Sequence, residues 1–122
     1  MVHTGGCHCG KVRFELSGDV DLTNVYACNC SICSRAGWLL VFAKKEQFKL
    51  LSGEEVLKDY QFAKKHIHHK FCSSCGVRSF SHGKDDKGAE TFSVNVRCVD
   101  GVNISGMNLT AMKVTEYDGR AL

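Results

Sequence analysis

Seven of the eight cysteines fall in three tight clusters: Cys7-His8-Cys9, Cys28-Asn29-Cys30-Ser31-Ile32-Cys33 and Cys72-Ser73-Ser74-Cys75. Divided among tetrahedral metal ions, seven thiols make four plus three. Four thiolates close a structural zinc site, whereas three leave one position open for water or substrate. Eight cysteines can also be read as four disulfides of a secreted scaffold. Two observations oppose that reading: C-x-C pairs suit chelation better than disulfide pairing, and the N-terminus lacks the basic and apolar regions of an export signal. The expectation is a reduced, cytoplasmic protein that binds zinc in two different roles.

A chain of 122 residues fits one domain over 1–122 with a modest core. No apolar run approaches the roughly 20 residues of a membrane span. The formal charge is +3. Zinc binds thiolates rather than thiols, so seven thiolates and two divalent ions remove about three charges and leave the loaded protein near neutral. Charge therefore gives no support to a nucleic-acid surface, and with no long apolar run no membrane partner is expected.

Lys11 to Leu16 alternates polar and apolar, the period of a half-buried strand. Ser17-Gly18-Asp19 reads as a turn, and Val25 to Ala27 leads extended into the central cluster. Ser31 to Ala36 forms one helical turn, which Gly37 closes in the left-handed conformation. Further strands are expected at Trp38–Ala43, Phe48–Leu51, Val56–Phe62, His66–Phe71, Val77–Ser81, Thr91–Cys98 and Met112–Tyr117, with a charged surface loop over Gly83–Gly88. Many short strands between glycine turns indicate a mostly β fold.

In an extended strand residues i and i+2 point the same way, so Cys7 and Cys9 are expected to offer two sulfurs on one face. Cys72-x-x-Cys75 reads as a knuckle, with Gly76 for the tight return. These two pairs complete one tetrahedral site, and Cys28, Cys30 and Cys33 supply three ligands of a second. Its fourth position is open or is filled by Cys98 or by a histidine, His66, His68, His69 or His82. Cys98 sits on an apolar strand face and is more often a core cysteine. The histidine stretch is expected at the surface, around the metal rather than on it. An open zinc position polarises a carbonyl or activates a bound thiol.

Gly6-Cys7-His8-Cys9-Gly10-Lys11-Val12, Cys28-Asn29-Cys30-Ser31-Ile32-Cys33 and Phe71-Cys72-Ser73-Ser74-Cys75-Gly76 resemble the three signatures of the glutathione-dependent formaldehyde-activating enzyme family, which shares its domain with centromere protein V. The likeness extends through Asn95-Val96-Arg97-Cys98-Val99-Asp100-Gly101 and Tyr117-Asp118-Gly119-Arg120. His69 to Cys72 and Cys75 to Phe80 look closest to the centromere-protein-V-like branch. The resemblance implies a small zinc-stabilised β-tent of antiparallel sheets. It implies structural zinc on Cys7, Cys9, Cys72 and Cys75, and a second zinc on Cys28, Cys30 and Cys33; because three ligands hold an ion less firmly than four, the second is expected to be lost more readily on isolation. It further implies a carbon–sulfur lyase that forms S-hydroxymethylglutathione from glutathione and formaldehyde. Arg35, Arg78 and Arg97 then become candidate contacts for glutathione carboxylates, because a guanidinium matches a carboxylate's two oxygens. Ser34-Arg35-Ala36-Gly37 departs from the more basic segment of the named enzyme. A non-catalytic module that carries glutathione or another small thiol, and a structural interaction domain, are the competing expectations.

Overall fold

A computed structural model describes residues 2–22, 24–28, 31–61, 67–84, 87–102 and 113–117; the side chains of 28 and 113–117 are outside that description. In chain order the elements are β1 (Val2–Gly6), β2 (Arg13–Ser17), β3 (Asn24–Cys28), α1 (Ser31–Ala36), β4 (Leu40–Lys44), β5 (Phe48–Ser52), β6 (Leu57–Tyr60), β7 (Ile67–Cys72), β8 (Phe80–Lys84), β9 (Glu90–Asn95) and β10 (Lys113–Tyr117). Single 3-10 turns cover Lys45–Gln47, Glu54–Val56 and Val96–Cys98. The fold is mostly β, as expected. Gly37 closes α1 at φ +70°, and its N–H returns to the carbonyl of Cys33 at 2.9 Å.

Two sheets form. One has the order β1-β2-β5, and the other β10-β3-β4-β9-β8-β7-β6. Every pairing is antiparallel except that of β10 with β3. The alternation of β2 buries Phe14 and Leu16 completely, against Val41 and Ala43 of β4, Phe80 of β8 and Val94 of β9. Phe48 of β5 joins the sheets: its ring lies 4.4 Å from Phe92 and 4.6 Å from Phe80, centroid to centroid. Each such buried side chain contributes about 1.5–3 kcal/mol of transfer free energy.

Several boundaries differ from the sequence expectation. β1 is an unexpected strand, since Val2-His3-Thr4-Gly5-Gly6 has no alternation; it forms because β2 pairs along its whole length. Residues 7–10 are a turn and not a strand, so the i, i+2 argument for Cys7 and Cys9 does not apply. The strand expected at Val77–Ser81 begins only at Phe80 and runs into the expected loop as far as Lys84. The strand expected at Thr91–Cys98 stops at Asn95, whose side-chain oxygen accepts from the Arg97 N–H at 3.2 Å and starts a 3-10 turn. Phe62, His66 and Met112, at the ends of expected strands, lie outside the described residues.

Register fixes what each face of the large sheet carries. His68 pairs with His82 and Lys70 with Phe80, while His69 pairs with Ser81 and Ser81 with Ser93. Directly opposed residues share a face. His68 and His82 therefore lie on the side of Phe80 and Phe92, and His69 on the other side.

Candidate metal centre and adjoining cleft

Two turns bring four sulfurs together. In the first, the Cys7 N–H donates to the Val12 carbonyl, the Gly10 N–H to the Cys7 carbonyl, and the Val12 N–H to the Cys7 sulfur at 3.4 Å. Gly10 stands at φ +84°, a conformation that other residues adopt at a cost. In the second, the Gly76 N–H donates to the Cys72 carbonyl at 2.7 Å and the Cys72 N–H to the Val77 carbonyl at 3.0 Å, with Gly76 at φ +79°. The Lys11 ammonium donates to the Ser74 hydroxyl at 3.2 Å and ties the turns together.

The sulfurs of Cys7, Cys9, Cys72 and Cys75 all lie within 4.8 Å of one another. Cys7 to Cys9 is 3.6 Å and Cys9 to Cys72 is 3.7 Å. A tetrahedron of sulfurs about 2.3 Å from its centre has edges of about 3.8 Å, so the four thiols fit a metal ion such as zinc. Cys7 and Cys72 are buried with Val12 against Leu50, Val56, Leu57 and Val77, whereas Cys9 is exposed. The Val77 and Cys9 backbone N–H groups hold the Cys75 thiol down to about 6. At Cys9 the Lys11 N–H favours the thiolate, but partial loss of hydration and the adjacent sulfurs outweigh it and push the thiol up to about 11. Four adjacent thiolates repel one another, and a divalent cation is what allows them to coexist.

Of the second cluster, Cys28 ends β3 and Cys33 is buried in α1. Cys30 and the side chain of Cys28 lie outside the described residues. Cys98 is half-buried, with its sulfur 3.8 Å from the Arg78 carbonyl oxygen, and burial raises its thiol. His68 Nδ1 lies 2.5 Å from Asp59 and His82 Nδ1 lies 2.9 Å from Glu90, with the two rings stacked at 4.8 Å. His66 is not described. His69 departs from the surface placement expected of the histidines. It is 6% exposed because Trp38 and Arg78 cover it.

A cleft of about 530 Å³ opens between the end of α1 and the second cysteine turn, lined by Ala36, Gly37, Trp38, Gly76–Arg78, Asn95 and Arg97. Of the three arginines singled out in the sequence, Arg78 and Arg97 reach it. Arg78 is 5% exposed, with its guanidinium carbon 3.1 Å from the centre of the Trp38 ring. Arg35 instead turns back on its own helix and donates to the Ser31 carbonyl at 2.8 Å. Sequence reasoning missed Trp38 and His69, because it read the first as a strand residue and the second as surface.

Fold and site together define a small, mostly antiparallel β protein whose four-cysteine cluster can hold a metal ion. The chain belongs to the glutathione-dependent formaldehyde-activating enzyme family, whose family model matches residues 2–112. Membership supports a function related to glutathione and formaldehyde in general terms. The chain is also similar to a Rhodobacter sphaeroides protein of known crystal structure, at 30% identity and a TM-score of 0.77, over 92% of this chain and 99% of that one. Among the described residues no helix is long and apolar enough to cross a membrane.

Proposed function

We propose that this chain is a single-domain, zinc-dependent enzyme that joins a small thiol to an aldehyde, forming S-hydroxymethylglutathione from glutathione and formaldehyde. The observation that carries the reading is the cleft. It runs from the segment that follows Cys28, Cys30 and Cys33 to the segment that follows Cys72 and Cys75, and two arginines line it. Its volume falls in the usual range for a small-molecule site.

In this reading Cys7, Cys9, Cys72 and Cys75 hold a structural zinc, and Cys28, Cys30 and Cys33 hold a second with an open position. A metal with an open position supplies Lewis acidity and a lowered thiol pKa. The protein's own part is binding and orientation. Arg97 takes a peptide carboxylate at the cleft, the buried cation of Arg78 attracts it from the cleft wall, and Arg35, turned back on α1, adds long-range attraction. The thiol loses its proton, the sulfur lone pair forms the bond to the formaldehyde carbon, and the carbonyl oxygen takes up a proton to become the hydroxyl. A small thiol carrier would use the same cleft without turnover.

The test is zinc per chain by elemental analysis on protein purified without chelator, with and without glutathione, beside the rate of adduct formation followed by NMR exchange. The expected result is two zinc ions, one becoming labile when glutathione is added, and a rate proportional to enzyme above the uncatalysed reaction. One zinc and an uncatalysed rate would overturn the enzymatic reading in favour of a carrier or an interaction module.

A further inference from the structure

Trp38 and Arg78 line the cleft, and a third planar group, His69, stands behind them. The Arg78 guanidinium carbon lies over the Trp38 ring, 3.1 Å from its centre. The His69 ring stacks with the same indole, at 6.2 Å between centroids and 18° between planes. Arg78 Nη1 lies 2.5 Å from His69 Nδ1. A guanidinium has only donors, so this contact has a single polarity. Arg78 donates, the Nδ1 lone pair accepts, and the imidazole is neutral with its hydrogen on Nε2. An imidazolium would place N–H against N–H and one cation against another. Burial, and after it the neighbouring guanidinium, brings His69 down to about 4, which keeps it neutral at ordinary pH. The register of β7 with β8 places His69 on this face, opposite to His68 and Lys70.

We propose that His69 is a positioning residue for the cleft: by accepting from Arg78 it holds the guanidinium against Trp38, so that a fixed cation, its Nε and Nη2 buried in the cleft wall, attracts an anionic group of the ligand, such as the carboxylate of a small peptide thiol. A long side chain held in place before the ligand arrives takes an ordering cost out of binding. The consequence for binding rests on the cleft being the glutathione site, but the lock itself belongs to the unliganded protein.

Two variants separate its parts. His69→Phe keeps a ring and deletes the acceptor, while His69→Asn deletes the ring and places an acceptor oxygen near the position of Nδ1. Zinc content and thermal unfolding establish that each variant is folded. In the wild type at pH 7 we expect nitrogen NMR to show the Nε2–H tautomer of His69, with Arg78 guanidinium protons shifted upfield by the ring current of Trp38. His69→Phe abolishes that shift and weakens glutathione binding about tenfold, the equivalent of one lost hydrogen bond, whereas His69→Asn retains both within about threefold. Arg78→Lys weakens binding by itself, and adding His69→Phe to it has no further effect, since the two act through one contact. An Nδ1–H tautomer, an imidazolium at pH 7, or unchanged Arg78 signals in His69→Phe would overturn the proposal. A wild type that shows the lock but binds no glutathione overturns the reading of the cleft and supports the lock.

Discussion

His69 stands between two neighbours, His68 and Lys70, that face the other way, and its surroundings give it a different chemistry. Its ordinary value is 6.5, and burial first, then Arg78, lowers it to about 4 in the folded chain. The unfolded chain therefore binds more protons than the native state between those values. Stability from this group is fully present above pH 6.5 and is lost as the pH falls through 4. We expect urea midpoints of the wild type to decline across that window more steeply than those of His69→Phe, which has no group to protonate. Equal slopes would remove His69 as the cause. Strand alternation puts Ile67, His69 and Phe71 on the face opposite His68 and Lys70. It was silent on which face is covered, because the covering groups, Trp38 and Arg78, come from other elements.

At the scale of elements, the cysteine turns and the chain packed behind them set the site. Gly5 in β1 is bridged to Val99, and a Cβ there would stand 2.3 Å from the Cys98 carbonyl oxygen and 2.6 Å from Phe14 Cζ. Both neighbours are held, one as backbone and the other as a ring at the centre of the core. Gly5→Ala is expected to lower stability by about 1–3 kcal/mol, the range of an overpacked core, read as a reduced urea midpoint at unchanged slope. A midpoint equal to that of the wild type would mean that β1 yields freely. The knuckle at Cys72 was readable from its spacing and from Gly76. The turn at Cys7 was misread as a strand, since C-x-C fits both conformations and only the hydrogen bonds to Val12 decide between them.

For the whole molecule, the four-cysteine cluster joins the β1–β2 turn to the end of β7, and so links the small sheet to the large one. Closing so long a loop costs little more than closing a short one, and a structural zinc contributes on the order of 10 kcal/mol to folding. Cys72→Ser is expected to unfold the domain, as seen by circular dichroism and by loss of zinc. Cys30→Ser should lose one zinc and melt within a few degrees of the wild type. Equal loss of thermal stability in the two variants would contradict separate structural and reactive roles.

The sequence by itself determined the cysteine spacing, the glycines that let the chain turn at Gly37 and Gly76, and the alternation that buries Phe14, Leu16 and Val94. All are local, because ligand spacing, backbone freedom and side-chain period act over a few residues. Only the tertiary structure decided the strand order, the parallel seat of β10 beside β3, the burial of His69 and the cleft between α1 and the second cysteine turn. Those depend on which surfaces pack together across long separations, and no short pattern in the chain encodes such a choice.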